Sequence, residues 1–188
     1  MMKIVLIGVQ GAGKSTQGKM LSAKLGIPYL SSGHIFRQMA KRKSALGRWL
    51  KETLNAGVLV PDDKTIEIVM EYIDRPEYKA GYIIDGFPRT VAQAEAFTDG
   101  TEKVVLIDVS DKEALWRISG RVEDRQDETL QAIRKRIQLF HEVTAEVLDY
   151  YEKKGQLIRV NGEQSVEGVF QETLEKLNVA DSYVNNKH

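Results

Sequence analysis

The sequence predicts an α/β fold in which a parallel sheet of five strands is covered by helices on both faces. Five short apolar runs alternate with segments that have the 3.6-residue spacing of a helix. Strands and helices that alternate in this way form parallel sheets, because each helix returns the chain to the same edge. A glycine-rich loop, GVQGAGKST, follows the first apolar run and precedes a helical segment. A loop of this kind joins a strand to a helix at the edge where parallel sheets bind ligands.

The five predicted strands are short segments in which β-branched residues dominate. Such runs are typical of parallel strands that are buried on both faces. The third of them ends at an acid, Asp85. In chain order, the strands are predicted in KIVLIG (3–8), IPYLSSG, AGYIIDGFPR, KVVLIDV and QLIRVNG.

The helices are placed by their spacing and by the residues that begin or stop them. Gly26 is a stop signal for the first helix, and Ser32 with Gly33 begins the second. Thr90 caps a helix that runs through Phe97, and Ser165 caps the last one. The other helices are predicted over 47–55, over 62–74 (joined to the former by AGVLVP), from Lys112, and as one long helix over 129–154.

The chain is long enough for one domain over residues 1–188, with small inserts. Two stretches depart from the simple alternation of strands and helices. One is the helical segment over 31–60, and the other is a polar, arginine-rich break over 120–129. Both are predicted to be mobile inserts above a binding site.

Composition excludes several classes of function. Lys and Arg together number 27, as do Asp and Glu, so charge gives no reason to expect nucleic acid or a membrane as partner. The chain has no cysteine, which excludes disulfides, thiolate zinc sites and thiol catalysis. No apolar run is long enough to span a bilayer, and the first residues lack the cleavage site of a signal peptide. We therefore expect a cytoplasmic protein.

The glycine-rich loop has the pattern of a phosphate-binding loop, Gly8-x-x-x-x-Gly13-Lys14-Ser15. Its glycines let the backbone wrap around phosphate oxygens, and the N-terminus of the following helix adds positive potential. Lys14 offers a charge to the β- and γ-phosphates, and Ser15 offers a hydroxyl to Mg²⁺. A chance glycine-rich turn is the alternative, but the strand before it and the helix after it argue against that interpretation.

Asp85 is the second candidate for chemistry. An acid at the end of a strand beside a phosphate-binding loop can hold Mg²⁺ through water, although turn and cap aspartates are also common there. Arg89 follows where it could face a phosphate; a lone arginine in that position is usually a surface residue.

Arg117, Arg121 and Arg125 are spaced by four residues, and Arg136 lies further on. Spacing alone favours a solvated stripe on one helix, paired with neighbouring acids. The functional alternative is a cluster that neutralises the phosphates of two nucleotides. Phosphoryl transfer depends mainly on positioning and on charge neutralisation, so a reaction between two nucleotides needs such arginines.

Seven segments along nearly the whole chain resemble adenylate kinases: GVQGAGKSTQ, LSSGHIFR, GVLVPD, GYIIDGFPRTVAQAEAF, RISGR, RQDETLQAIRKR and VNGEQSVEGVF. The segment DGFPRTVAQAE is especially specific to nucleoside monophosphate kinases. The resemblance implies a P-loop NTPase-type core, an AMP-binding insert over 31–60 and a short, zinc-free lid over 120–129. It also implies a monomer that transfers a phosphoryl group reversibly from ATP to AMP, giving two ADP, with Mg²⁺.

The resemblance also implies a role for individual residues. Those implied in catalysis are Lys14, Arg89, Arg121, Arg125 and Arg136. Those implied at ATP are Gly11, Ala12, Gly13, Lys14, Ser15, Thr16, Arg117, Arg121 and Gln164. Those implied at AMP are Ser32, Arg37, Val58, Leu59, Val60, Gly86, Phe87, Pro88, Arg89, Gln93, Arg125 and Arg136. Ser15 and Asp85, the latter through water, are implied at Mg²⁺.

The chain departs from the family pattern at a few positions, and three other functions stay open. His34 stands where the family often has an acid, Gln10 where proline is common and Ser15 where glycine is common. A pyrimidine or guanine monophosphate kinase would share most of the chemistry, and Gln93 argues for adenine. A non-catalytic nucleotide-binding regulator would not need the arginines together. A GTPase switch would need an Asn-Lys-x-Asp motif, which the sequence lacks.

Overall fold

The fold is a five-stranded parallel sheet with helices on both faces, as the sequence predicts. The computed structural model describes residues 2–97, 103–120 and 129–179. Within these residues the strand order is β2-β3-β1-β4-β5, and every neighbouring pair is parallel. The strands are β1 (Met2–Ile7), β2 (Tyr29–Ser31), β3 (Gly81–Asp85), β4 (Lys103–Asp108) and β5 (Leu157–Asn161).

The helices agree with the predicted segments in position and mostly in type. Gly26 ends the first helix in the left-handed conformation, and the side chains of Thr90 and Ser165 cap their helices. The helices are α1 (Lys14–Leu25), α2 (Ser32–Ala40), α3 (Ala45–Asn55), α4 (Asp62–Ile73), α5 (Val91–Ala96), α6 (Asp111–Ser119), α7 (Leu130–Leu139), α8 (Ala145–Lys153) and α9 (Val166–Lys176), with a short 3₁₀ turn over Pro76–Tyr78.

The long helical run predicted over 129–154 is present, but its middle is not α-helical. α7 and α8 are joined by a π-helical segment, Phe140–Thr144, called the π segment below. A π turn adds a residue without breaking the helical run, so the apolar spacing on either side still resembles one helix. The segment also brings Thr144 close to the loop after β3.

Two apolar cores hold the helices against the sheet. Alternate residues of β1 point to opposite faces, with Ile4 and Leu6 on one side and Val5 and Ile7 on the other. The first face packs against buried residues of α1, α6 and α9, and the second against those of α2 to α5 and α8. The strands are therefore buried on both faces, which explains their continuous apolar sequences.

The sheet register places the carboxyl ends of three strands side by side. Leu6 of β1 pairs with Asp85 of β3, and Ser31 of β2 pairs with the same Asp85 from the other side. The glycine-rich loop leaves β1 at this edge, and α2 and α3 follow β2 there. Within the described residues, no helix combines the length and the apolar composition that crossing a bilayer requires.

Candidate active site

A large cavity opens at the carboxyl edge of the sheet. Its volume is about 1780 Å³, which exceeds the roughly 300–1,000 Å³ of a pocket for one small ligand. The glycine-rich loop, the ends of β2 and β3, the helices α2 and α3, and the region from α7 to the π segment all contribute to its wall. The cavity is therefore large enough for two nucleotides.

The glycine-rich loop has the backbone conformation of an anion-binding loop. Gly11 and Gly13 have φ angles of 95° and 92°, which side-chain-bearing residues rarely adopt. A Cβ atom on Gly11 would also lie 2.6 Å from the carbonyl oxygen of Ala114. Lys14 begins α1, and its Nζ donates to the carbonyl oxygens of Gly8 (2.7 Å) and Val9 (2.9 Å). These two bonds hold the ammonium group over the loop.

Three oxygen-bearing side chains meet at the end of β3. Asp85 is only 5% exposed, yet it lines the cavity. Its Oδ2 accepts hydrogen bonds from the hydroxyls of Ser15 (3.2 Å) and Tyr29 (2.5 Å). Burial, and then the charge of Asp85, raises the pKa of the Tyr29 phenol. The phenol therefore keeps its proton at any ordinary pH and donates a hydrogen bond to the carboxylate.

This donor set fits Mg²⁺, which prefers oxygen ligands. Mg²⁺ in nucleotide sites is held by one or two protein oxygens together with phosphates and waters, rather than by an all-protein cage. Ser15 and Asp85 supply such oxygens beside the phosphate-binding loop. In the part of the chain that the structure describes, His, Asp and Glu form no group of three or more that could hold a metal.

The arginines of the cavity act on one another electrostatically. Arg89 is largely buried, and its Nε donates to the carbonyl oxygen of Gly86 (2.8 Å). Burial lowers the pKa of this guanidinium; Asp85 opposes the shift, and the positive charges of Arg136 and Arg37 add to it. Arg37, Arg89 and Arg136 therefore share the wall of the cavity with the carboxylate of Asp85.

Arg136 connects the glycine-rich loop to the end of α3. Its Nη1 donates to Oε1 of Gln10 (3.4 Å), and its Nη2 donates to the carbonyl oxygen of Leu54 (2.8 Å). The residue therefore does not belong to a solvated stripe. Arg136 also lines the cavity.

Gln93 lines the cavity, although it is only 1% exposed, and a hydrogen-bond network holds its side chain. Its Oε1 accepts from the backbone N–H of Arg89 (2.8 Å), and its Nε2 donates to Oδ1 of Asp62 (2.7 Å). The same Asp62 oxygen accepts from the hydroxyl of Thr90 (2.9 Å). The network determines the orientation of the amide and joins α4 to the loop after β3.

Arg117 and Gln164 lie outside the wall of the large cavity. Arg117 Nε pairs with Oε1 of Glu113 at 2.7 Å, and its Nη2 donates to the carbonyl oxygen of Gly162 at 2.8 Å. Its Nη1 is 4.0 Å from the position that a Cβ on Gly13 would take, so it lies beside the phosphate-binding loop. Gln164 donates to the carbonyl oxygen of Asn161 at 3.0 Å, in the connection between β5 and α9.

Most of the other predicted residues line the cavity together. Three are buried behind the wall: Ala12, Phe87 and Ser32, whose Oγ has no hydrogen-bond partner among the described residues. Arg121 and Arg125, with most of the segment 120–129, lie outside the described residues. The residues that line the cavity are Gly11, Gly13, Lys14, Ser15, Thr16, Arg37, Val58, Leu59, Val60, Asp85, Gly86, Pro88, Arg89, Gln93 and Arg136.

Sequence reasoning missed three residues that hold the site in place: Tyr29, Asp62 and Thr144. The hydroxyl of Thr144, in the π segment, donates to the carbonyl oxygen of Arg89 at 3.0 Å. A strand pattern does place Tyr29 on the same face of β2 as Ser31. That β2 lies beside β3, however, is a long-range pairing that no local pattern shows.

Comparison with known proteins agrees with this geometry. Residues 6–156 match the family model described as adenylate kinase. The adenylate kinase of Acetivibrio thermocellus is 35% identical, with 94% of this chain and 98% of the relative covered. That of Azobacteroides pseudotrichonymphae is 37% identical, with 94% and 97% covered. That of Caldicellulosiruptor bescii is 33% identical, with 95% and 100% covered. The chain therefore belongs to the adenylate kinase family, whose enzymes transfer a phosphoryl group between ATP and AMP.

Proposed function

We propose that the cavity binds ATP at the glycine-rich loop and AMP between α2, α3 and the end of β3, and that the γ-phosphoryl group passes directly between them. The observation that carries this proposal is the cluster formed by Arg37, Arg89 and Arg136 in the cavity that the loop opens. A guanidinium group binds phosphate oxygens through parallel N–H donors, so three such groups in one cavity wall form a site for anions. Two facing nucleotides supply those anions.

On the ATP side, the loop and Lys14 bind the phosphates. α1 begins at Lys14, so its N-terminal N–H groups are proposed to bind the phosphates, and Lys14 adds a full charge. Arg117 and the backbone near Gln164 border the nucleotide from β5 and α6. Arg121 is proposed to join them from the segment 120–129.

On the AMP side, Arg37 and Arg89 hold the phosphate. Ser32 is buried behind the cavity wall in this structure and is proposed to contact the nucleotide once residues 31–60 close over it. Gln93 and the backbone of 58–60 form the adenine pocket, with Val60 buried and Val58 exposed. A glutamine amide has both a donor and an acceptor, which matches the N6 and N1 edge of adenine. Guanine and uracil present the opposite pattern at this edge. Cytosine shares the pattern, but the chain belongs to the adenylate kinase family, so we propose AMP as the preferred acceptor.

Ser15 is proposed to ligate Mg²⁺ directly, and Asp85 to hold it through water. When bound, the ion neutralises charge on the β- and γ-phosphates of ATP. The serine hydroxyl has one hydrogen and two lone pairs. It can therefore keep its hydrogen bond to Asp85 while its oxygen is turned to the ion. No zinc is proposed, because the chain has no cysteine to form a thiolate site.

The transfer needs positioning more than acid–base chemistry. The acceptor oxygen of the AMP phosphate is already ionised near neutral pH, so no strong general base is required. Lys14, Arg89, Arg136 and, from the segment 120–129, Arg121 and Arg125 are proposed to neutralise the charge of the transferring group. Water competes with AMP as the acceptor of the phosphoryl group. When water is excluded from the cavity, the product is ADP rather than inorganic phosphate.

We propose that residues 31–60 and 120–129 close over the two nucleotides as an AMP-binding insert and a short lid. The alignment with the Acetivibrio thermocellus relative spans 212 positions, although this chain has only 188 residues. The relative therefore carries residues that have no counterpart here. The alignment with the Azobacteroides pseudotrichonymphae relative spans 186 positions. This difference supports a short form of the lid.

We propose that the protein acts as a monomer in the cytoplasm, where its substrates occur, and without nucleic acid or membrane as partner. One chain supplies both the phosphate-binding loop and the arginines of the AMP side. The proposed site is therefore complete without a second copy. Size-exclusion chromatography with light scattering should give the mass of a single chain, and a dimer mass would contradict the proposal.

The assignment of the two sides is tested by measuring the affinity for each nucleotide separately. Arg89→Lys should weaken AMP binding at least about tenfold and leave ATP binding within about twofold, because one point charge cannot reproduce a bidentate fork. Lys14→Met should weaken ATP binding at least about tenfold and leave AMP binding within about twofold. Isothermal titration calorimetry of both variants with each nucleotide measures this crossover. Equal losses for ATP and AMP in either variant would reject the assignment.

A further inference from the structure

The ring of Tyr29 lies against α1 in a space that only a glycine leaves open. Gly18 is buried in the middle of α1, and a Cβ atom there would lie 2.4 Å and 2.6 Å from Cε2 and Cδ2 of the ring. Real Cβ atoms essentially never come so close to a ring, so any other residue at 18 would displace the tyrosine. Glycine is unfavourable inside a helix, and its presence here is explained by the ring that it admits.

The hydroxyl at the far end of this ring reaches the proposed metal site. It donates to Oδ2 of Asp85 at 2.5 Å, and the hydroxyl of Ser15 donates to the same oxygen at 3.2 Å. Both bonds therefore fall on one carboxylate oxygen.

The hydroxyl groups of Ser15 and Tyr29 have different roles in the proposed metal site. The oxygen of Ser15 is proposed to bind the ion itself, while Tyr29 touches neither nucleotide nor ion in the proposed arrangement. Tyr29 is half-buried, and its ring is fixed by Gly18. Its hydrogen bond can therefore hold the carboxylate in one orientation before the ion arrives. Groups that orient a metal-binding carboxylate in this way affect metal affinity strongly.

We propose that Tyr29 is a positioning residue that holds Asp85 for a divalent cation, so that the site prefers the magnesium complex of ATP over metal-free ATP. Gly18 leaves the space that the ring of Tyr29 occupies in this arrangement. The inference rests on the proposed Mg²⁺ site. It concerns the binding of the ion with its nucleotide, and AMP binding should not depend on it.

The experiment compares two dissociation constants for each protein, one for ATP with Mg²⁺ and one for ATP with a chelator. Calorimetry measures both without turnover. Tyr29→Phe keeps the ring and removes only the hydroxyl. It should weaken binding of the magnesium complex by about tenfold, while the constant for metal-free ATP stays within about twofold. Tyr150→Phe, the same change on α8 and away from the residues that line the cavity, should leave both constants unchanged.

A second variant tests the role of the glycine. Gly18→Ala should lower the preference for the magnesium complex in the same direction as Tyr29→Phe, because the added Cβ displaces the ring. The double variant should lose no more than the larger of the two single losses. A melting temperature for each variant shows that it is folded, and AMP affinity should be unchanged in all of them.

The outcomes separate this inference from the proposal on which it rests. If Tyr29→Phe retains the wild-type preference, or loses affinity equally with and without Mg²⁺, Tyr29 is a packing residue and the inference is overturned. If the wild-type protein itself shows no preference for the magnesium complex, the Mg²⁺ site is wrong and the inference is overturned with it.

Discussion

Lys14 shows how one charge is kept in place by backbone groups. The carbonyl oxygens of Gly8 and Val9 accept from its Nζ, so the ammonium group is directed over the loop before a nucleotide binds. Lys14→Met keeps the apolar stem and removes the charge. We expect kcat to fall by about 10²–10³-fold, because enzymes lose about this much when one donor that stabilises charge in the transition state is removed. The variant should remain folded, as circular dichroism and a thermal melt would show; turnover near the wild-type rate would contradict the role given to the loop.

Arg136 offers a test that separates a catalytic arginine from a surface one. Arg136→Lys should lower kcat by about 10²–10³-fold, because a lysine cannot contact both the loop and the transferring phosphate. Arg134→Lys, two residues earlier on the exposed face of α7, is the matched control and should change neither rate nor stability by more than about 0.5 kcal/mol. If both variants keep most of their activity, the cluster is not part of the reaction.

Gln93 tests the choice of acceptor. Gln93→Ala should weaken the use of AMP by about 1–3 kcal/mol, with a much smaller effect on ATP, because a buried base edge is left unpaired. The variant should also be less stable, since Asp62 and the N–H of Arg89 lose a partner. KM for each nucleotide and the melting temperature are the measurements. Gln171→Ala, an exposed glutamine on α9, serves as control. Equal increases in KM for ATP and AMP would reject the adenine contact.

At this scale the sequence predicts the residues that carry charge but not the ones that orient them. Lys14 and Asp85 follow from a loop pattern and from the end of an apolar strand, both of which are local. Tyr29, Asp62 and Thr144 act across 56, 31 and 55 residues of chain. Their partners depend on which strands and helices become neighbours, and a local pattern does not contain that information.

At the scale of elements, the π segment is where the structure departs most from the predicted helix. It places the buried hydroxyl of Thr144 3.0 Å from the carbonyl oxygen of Arg89 and so supports the loop that carries this arginine. π turns inside helices are often found at functional sites. The segment joins the long helical run to the active site, which explains why a regular helix would not serve here.

Thr144→Val tests this support. Valine has nearly the same shape but no donor, so the buried carbonyl of Arg89 loses its partner, and we expect a loss of about 1–3 kcal/mol in the free energy of unfolding. KM for AMP should rise as well, because Arg89 is held less firmly. Thr144→Ser keeps the hydroxyl and should retain AMP binding. Chemical denaturation and steady-state kinetics check both; a valine variant with wild-type stability and wild-type KM would contradict the account.

The strands, in contrast, are predicted well because each one is buried on both faces. A run such as KIVLIG must be apolar throughout when helices cover both sides of the sheet, and the structure places Ile4, Val5, Leu6 and Ile7 in the two cores. Helix ends follow from local chemistry too: Gly26 stops α1, and Thr90 and Ser165 cap α5 and α9.

At the scale of the whole molecule, one sheet edge gathers groups from all along the chain into a single cavity. The glycine-rich loop comes from the first strand, Arg89 follows the third, and Arg136 arrives on α7 from the other half of the chain. Because the site is assembled in this way, nucleotides should stabilise the whole fold. Ligand present at about 100 times its dissociation constant adds about 2.7 kcal/mol.

The central claim is that this cavity transfers the γ-phosphoryl group of ATP to AMP, and one measurement tests it most directly. Phosphorus NMR follows ATP with Mg²⁺ in the presence of AMP, CMP, UMP or GMP in turn, at equal concentrations. We expect two ADP for each ATP and AMP consumed, no accumulation of inorganic phosphate, and much slower reaction with the other three acceptors. Release of inorganic phosphate at a rate independent of AMP, or a faster reaction with CMP, UMP or GMP, would contradict the account.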